Sequence, residues 1–260
     1  MQSLTHRVGN DTIHSMADSK ITTILFDLDG TLLPMDQESF IQAYFTAFTE
    51  KCRELSFDPQ QAYKALLIGV RAMMENDGTI TNEQTFWNAF SEILDIPEDI
   101  RKGEFIAFYT QEFSQLQSVV EPSFRSAEIV RNVREKGYTT VLATTPVFPK
   151  VGTLERLSWA GLEPSWFDEI TTYEYYSYAK PNLGYYQQII ERVGAQPEQC
   201  LMIGNDVTED LIVRSMGMQV FLVTDNLINR DNVDISSFPQ GTLEELWDFC
   251  NRLEHREKSR

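Results

Sequence analysis

Two aspartates in the string Phe26-Asp27-Leu28-Asp29-Gly30-Thr31-Leu32 carry the clearest chemistry in this chain of 260 residues. They stand where a short apolar run ends and a turn begins, and side chains at i and i+2 of an extended segment share a face. Asp-Gly is a common turn pair, so a purely structural turn is the plain alternative. A D-x-D-G-T string arises by chance in roughly one of several hundred chains of this length, if each residue type is about a twentieth of the composition. In open α/β sheets ligands bind beyond the carboxyl ends of the strands, which is where this pair falls. Neighbouring carboxylates repel, so the pair needs a divalent cation to neutralise it or a proton on one member. Either condition suits phosphoryl transfer. Asp27, ionised at neutral pH, can attack phosphorus with no base to activate it. Asp29 can protonate the leaving oxygen, then take a proton from the water that hydrolyses the acyl phosphate. Gly30 lets the backbone turn close to a phosphate, and the Thr31 hydroxyl can brace the turn or Asp29.

Those residues need a rigid frame. From Lys20 onward short apolar runs alternate with longer amphipathic ones, the pattern of an α/β protein with a mostly parallel sheet. Strands are expected at Ile21 to Phe26, Thr139 to Thr144, Cys200 to Ile203 and Gln219 to Val223. Helices are expected at Ser126 to Lys136, Leu154 to Trp159 and Leu183 to Val193, stopped by Gly137, Gly161 and Gly194 where a C-terminus favours positive φ. Between Pro34 and Pro122 no strand-like run occurs. Phe40, Ala43, Tyr44, Ala47 and Phe48 form one helical stripe, Phe86, Phe90, Ile93 and Leu94 a second, and Phe105, Phe108, Tyr109, Phe113 and Leu116 a third. Core packing is the expected role of these aromatics, with a ligand pocket as the alternative. The organisation that follows is an α/β core from residues 20–33 and 122–260, interrupted by a helical domain over 34–121. Residues 1–19 read as a disordered or non-native extension, with Met16 as an alternative start, and His255 to Arg260 as a frayed helix end.

The string around Asp27 resembles the signature of the haloacid dehalogenase superfamily, in its phosphatase branch and of the phosphoglycolate phosphatase-like kind. That resemblance implies a Rossmann-like parallel-sheet core with an α-helical cap inserted between the first and second motifs. The family's second motif is matched by Val141-Leu142-Ala143-Thr144-Thr145, where the Thr144 hydroxyl and a following backbone N–H would hold a phosphoryl oxygen. Many relatives carry Asn where this chain has Thr145. Ala179-Lys180-Pro181 resembles the third motif, with Lys180 offsetting the charge of nucleophile and phosphate and Asn182 replacing the usual acid. Gly204-Asn205-Asp206-Val207-Thr208-Glu209-Asp210 resembles the fourth, which completes a Mg²⁺ site. Asp27 and Asp206 would ligate directly, Asp29 through its backbone carbonyl, and Asp210 through water or from behind the ligands. The spacing also admits Asn205 as the ligand, and both alignments stay open. Substrate phosphate would meet Gly30, Thr31, Thr144, Thr145 and Lys180. The four motifs keep family order between Ile21 and Val223.

Lys plus Arg number 22 against 39 Asp plus Glu, a net charge of -17. Such a surface repels polyanions, which argues against nucleic acid and anionic bilayers as partners. No apolar run approaches the roughly 18 residues of a membrane span. Cys52, Cys200 and Cys250 lie far apart and outside any C-x-x-C pair, as buried thiols of a reducing cytoplasm do. A cytoplasmic monomer acting on a small phosphorylated metabolite is expected, with oligomers left open. Asp29 argues against the dehalogenase and phosphonatase branches, the latter using a cap lysine, for which Lys51, Lys64 and Lys102 are the candidates. A Mg²⁺-dependent phosphatase is therefore the leading reading. A phosphomutase and a non-catalytic phospholigand sensor are its alternatives. Tyr173 to Tyr178 read as core packing rather than an aromatic shelf, while Arg71 with Glu75 to Gly78 fits equally an exposed helix end or residues reaching toward a substrate.

Overall fold

A computed structural model describes residues 21–97, 100 and 103–256 of the chain. The expected extension over 1–19, Lys102 and the end of the tail, 257–260, lie outside the described residues. In chain order the elements are β1 (Thr23–Phe26), α1 (Gln37–Glu54), α2 (Pro59–Met74), α3 (Asn82–Ser91), α4 (Glu104–Thr110), α5 (Phe124–Glu135), β2 (Thr139–Leu142) and α6 (Lys150–Trp159). There follow β3 (Glu169–Ile170), α7 (Leu183–Val193), β4 (Cys200–Gly204), α8 (Val207–Asp210), β5 (Gln219–Val223), β6 (Gln240–Gly241) and α9 (Leu243–Arg252).

Among the described residues the strands form one sheet, ordered β3-β2-β1-β4-β5-β6, with every pair parallel. Uninterrupted apolar runs suit strands covered on both faces. Along β1, Ile24 and Phe26 enter the cluster on one face and Leu25 the cluster on the other, the period of two that a strand imposes. α5 and α9 cover the first face through Ile129, Leu246 and Phe249, and α7 covers the second through Tyr185, Ile189 and Ile190. The expected Rossmann-like α/β core with a helical insert is therefore the fold.

The four expected strands form, two of them shortened to Thr23–Phe26 and Thr139–Leu142. β3 and β6 were not expected, since two residues cannot display a period. α7 spans the expected residues and ends on Gly194 at φ 67°, while α5 and α6 begin earlier than expected. Of the expected frayed tail, the described part ends in contact with the core. Arg256 N–H donates to the Lys136 carbonyl at 2.7 Å, and Lys136 Nζ donates to the carbonyls of Cys250, Asn251 and Leu253, closing the C-terminus of α9.

The register decides where the chemistry lies. Phe26 is opposite Leu142 on one side and Ile203 on the other, so the carboxyl ends of β1, β2 and β4 finish together. The insert leaves and rejoins the core at one point, where Met35 and Val120 form an antiparallel bridge and Glu121 N–H donates to the Pro34 carbonyl at 2.9 Å. Its aromatic stripes pack as a core: Phe48 stacks on Phe105 at 5.2 Å, and Phe113 stacks on Trp159 of α6 at 5.1 Å. Insert and sheet face share one hydrophobic cluster. A polar pin adds to it, because Asn82 at the start of α3 is buried and its Nδ2 donates to the carbonyls of Pro146 at 3.0 Å and Tyr178 at 3.2 Å. The three cysteines are free and buried. Among the described residues no helix is long and apolar enough to cross a membrane.

Candidate active site

Asp27 follows β1 directly, its N–H donating to the Ile203 carbonyl at 2.8 Å as one last rung of the ladder. The chain then turns tightly: Gly30 N–H donates to the Leu33 carbonyl and Leu33 N–H to the Leu28 carbonyl, both at 2.8 Å. Gly30 has φ +82°, and a Cβ there would run into the Asn205 carboxamide, so glycine is required twice over. The Thr31 hydroxyl lies 2.9 Å from Asn205 Oδ1 and 3.2 Å from Asp27 Oδ2. Thr31 thus joins the first motif to the fourth and does not brace Asp29.

Lys180 is fully buried, with Nζ 2.8 Å from both Asp27 Oδ1 and Asp210 Oδ1. Burial opposes its charge, but the two carboxylates outweigh burial and hold it protonated well above the usual lysine range. Burial pushes the Asp27 carboxyl upward and Lys180 pulls it back. Asp210 is pushed up to about 6 by burial against the pull of Lys180. Its Oδ2 accepts from Asp206 N–H at 3.1 Å, beside Gly204, where any Cβ would meet this carboxylate.

Asp29 pairs through Oδ2 with Arg156 of α6, a residue with no exposed surface. Its Oδ1 is buried without a partner, its backbone carbonyl accepts from Gln37 Nε2 at 3.0 Å, and burial raises its carboxyl against the pull of Arg156. Asp206 has partners of its own: Oδ1 caps α8 by accepting from Thr208 and Glu209 N–H, and Oδ2 pairs with Arg230 at 2.8 Å. Asn205 is the fourth-motif side chain that faces Gly30 and Thr31. At the end of β2, Thr144 is buried and its carbonyl accepts from Thr171 Oγ1 and Tyr185 Oη, while the Thr145 hydroxyl donates to Glu209 at 3.0 Å. Glu209 is pushed up to about 7, chiefly by burial.

A cavity of about 360 Å³ opens over this floor, lined by Asp27, Asp29, Thr144, Thr145, Asn205, Asp206, Glu209 and Asp210. Gly30, Thr31 and Lys180 support it from behind the lining. Two features of the floor suit a hard cation: its donors are all oxygens, and Asp29 Oδ1 is orphaned. The carboxylates are spread around Lys180, Arg156 and Arg230, and among the described residues no three of them converge as a ready ligand group.

Arg156, Arg230 and Glu209 were not expected at the site. Arg156 had a legible signal, since it lies at helical spacing with the buried Gly152, Thr153 and Trp159, where a cation requires a partner. Among the expected lysines of the insert, Lys51 is tied to Glu104 and Glu112, and Lys64 is exposed. Arg71 pairs with Glu75 on the surface, as an exposed helix end does. Tyr173 and Tyr176 are core residues, as expected, although Tyr173 also lines the cavity and Tyr175 is exposed.

Comparison with known proteins agrees with this arrangement. Residues 21–226 match the family model described as haloacid dehalogenase-like hydrolase. A glyceraldehyde 3-phosphate phosphatase of Methanothermobacter thermautotrophicus is 24% identical over 234 residues, 87% of this chain and 96% of that protein. A pyrophosphatase of Bacillus cereus is 25% identical over 191 residues, 72% of this chain and 76% of that protein. The solved structure of a HAD phosphatase from Thermococcus onnurineus superimposes with a TM-score of 0.60 at 21% identity, covering 91% of this chain and all of that one.

Proposed function

The chain belongs to the haloacid dehalogenase-like hydrolases, and from that premise we propose that it is a Mg²⁺-dependent phosphatase of small phosphomonoesters, working through an aspartyl phosphate on Asp27. One observation carries the reading. Asp27, held by Lys180, and Asp29, two residues on, sit together at the base of a cavity above the carboxyl end of β1. Asp27 Oδ1 is engaged by Lys180, and Oδ2, which accepts from the Thr31 hydroxyl at 3.2 Å, is the oxygen that attacks phosphorus. As the new P–O bond forms and the ester P–O bond breaks, Asp29 gives its proton to the leaving oxygen. Asp29 then accepts a proton from water, whose oxygen bonds to phosphorus and releases Asp27. Thr144 and backbone N–H groups after β2 hold the phosphoryl oxygens, and Lys180 keeps the nucleophile ionised.

Asp27, the Asp29 carbonyl and Asp206 or Asn205 would hold the ion, with Asp210 behind them. Bound there, Mg²⁺ supplies neutralisation of the carboxylates and of the incoming dianion. Residues 34–121 act as the cap, excluding water from the acyl phosphate and contacting the leaving group. Phosphate release from p-nitrophenyl phosphate with and without Mg²⁺ tests the reading. Turnover with the ion, its loss with EDTA, and its loss in Asp27→Asn by about a thousandfold or more are expected. Undiminished turnover in Asp27→Asn would overturn it, and ³¹P NMR detection of isomerised rather than free phosphate would indicate the mutase instead.

A further inference from the structure

The cavity has two unlike ends. Its floor is the carboxylate cluster, and its walls are Tyr44 and Phe48 of α1, Phe86 and Trp87 of α3, and Phe105 and Tyr109 of α4. The five charged side chains of the lining, Asp27, Asp29, Asp206, Glu209 and Asp210, are all acidic and all belong to the core. Among the described residues, the cap contributes no Lys, Arg or His to the lining. Its polar side-chain groups there are Gln37, whose Nε2 donates to the Asp29 carbonyl, the Trp87 indole N–H, and the hydroxyls of Tyr44 and Tyr109, which bond to each other at 3.0 Å.

A leaving group placed against such walls cannot carry a second charge without losing its hydration to rings that return nothing. A carboxylate or a second phosphate would also meet five acids and, among the described residues of the cap lining, no cation. A polyhydroxylated sugar would leave most hydroxyls unpaired, at about 1–3 kcal/mol each. Apolar surface gains instead, at about 25 cal/mol per Å² removed from water. Size agrees: the cavity of about 360 Å³ is more than twice the roughly 150 Å³ that receives benzene.

We propose that the substrate is a monoester of an uncharged, mainly apolar alcohol or phenol, its alkyl or aryl part seated among the cap aromatics. This inference rests on the phosphatase reading and narrows its substrate class.

The n-alkyl phosphates from methyl to hexyl test it, because their leaving alcohols differ little in acidity while their apolar area grows. kcat/KM is expected to rise by about threefold to fourfold per added methylene until the walls are filled. Glycerol 3-phosphate, phosphoglycolate and pyrophosphate, the polar comparators, are expected to fall below butyl phosphate. Met74→Lys and Ile41→Lys, at partly exposed lining positions of α2 and α1, place a cation in the wall. Each is expected to lower the hexyl-to-methyl ratio at least fivefold, a ratio within one protein from which any loss of folded enzyme cancels. A flat alkyl series, or a polar comparator that outpaces hexyl phosphate, overturns the inference and leaves the phosphatase reading standing. No phosphate from any ester, p-nitrophenyl phosphate included, overturns both.

Discussion

Arg156, with no exposed surface, pairs with Asp29, which is partly exposed and lines the cavity. Burial lifts the Asp29 carboxyl and Arg156 restrains it. Arg156→Met removes the restraint. The high-pH limb of kcat/KM is expected to move upward, kcat to fall about tenfold or more, and Arg156→Lys to recover part of both. An unmoved limb in Arg156→Met contradicts this role. At this scale the sequence was legible where neighbours in the chain are neighbours in space. Asp27 and Asp29 form one string, and the D-x-D-G-T spacing carries its own chemistry. Arg156 lies far along the chain from Asp29 and meets it only because α6 packs against the first turn. The choice between Asn205 and Asp206 was equally out of reach. It turns on tertiary contacts: Asn205 meets Gly30 and Thr31, while Asp206 caps α8 and pairs with Arg230.

Elements explain why distant motifs meet. β1 lies between β2 and β4, so the first, second and fourth motifs share one edge of the sheet by register alone. Apolar runs and terminal glycines made those strands and α7 readable, because burial on two faces and a left-handed C-terminus each leave a mark in composition. α2 left a fainter one: its buried residues are Ala62, Ala65, Leu66, Gly69 and Met73, too small to stand out as a stripe. The pinning of α3 was not legible at all, since a single Asn after a Thr reads as a helix start. Asn82 nonetheless serves two carbonyls of the core and accepts from Asn76 Nδ2 at 2.8 Å. Asn82→Ala is expected to cost about 2–3 kcal/mol, measured as a lowered urea midpoint, because buried acceptors lose their donor. A loss below about 0.5 kcal/mol, the range of an indifferent surface change, contradicts the pin.

For the whole molecule, the net charge of -17 opposes a dianionic substrate at long range. Attraction has to be local, from the bound ion, Lys180 and backbone N–H groups. Raising NaCl from about 10 mM to 150 mM shortens the screening length from about 30 Å to about 8 Å. With Mg²⁺ saturating, kcat/KM for butyl phosphate is expected to rise about twofold over that range, and a fall shows that the long-range field is attractive. The acidic composition was plain in the sequence; that Lys180, Arg156 and Arg230 each pair with an acid of the cavity lining was not, because they come from three separate stretches. The bridge between Met35 and Val120 bears on how such a molecule can change over generations. Both crossings of the chain lie side by side, so residues can be gained, lost or recombined in the helical lobe without shifting one strand against another. The hydrolytic half is thereby insulated from experiments in selectivity. The boundary is open in backbone but not in packing, since Phe148 and Trp159 face the lobe from the core and bind any replacement to supply aromatic partners for them.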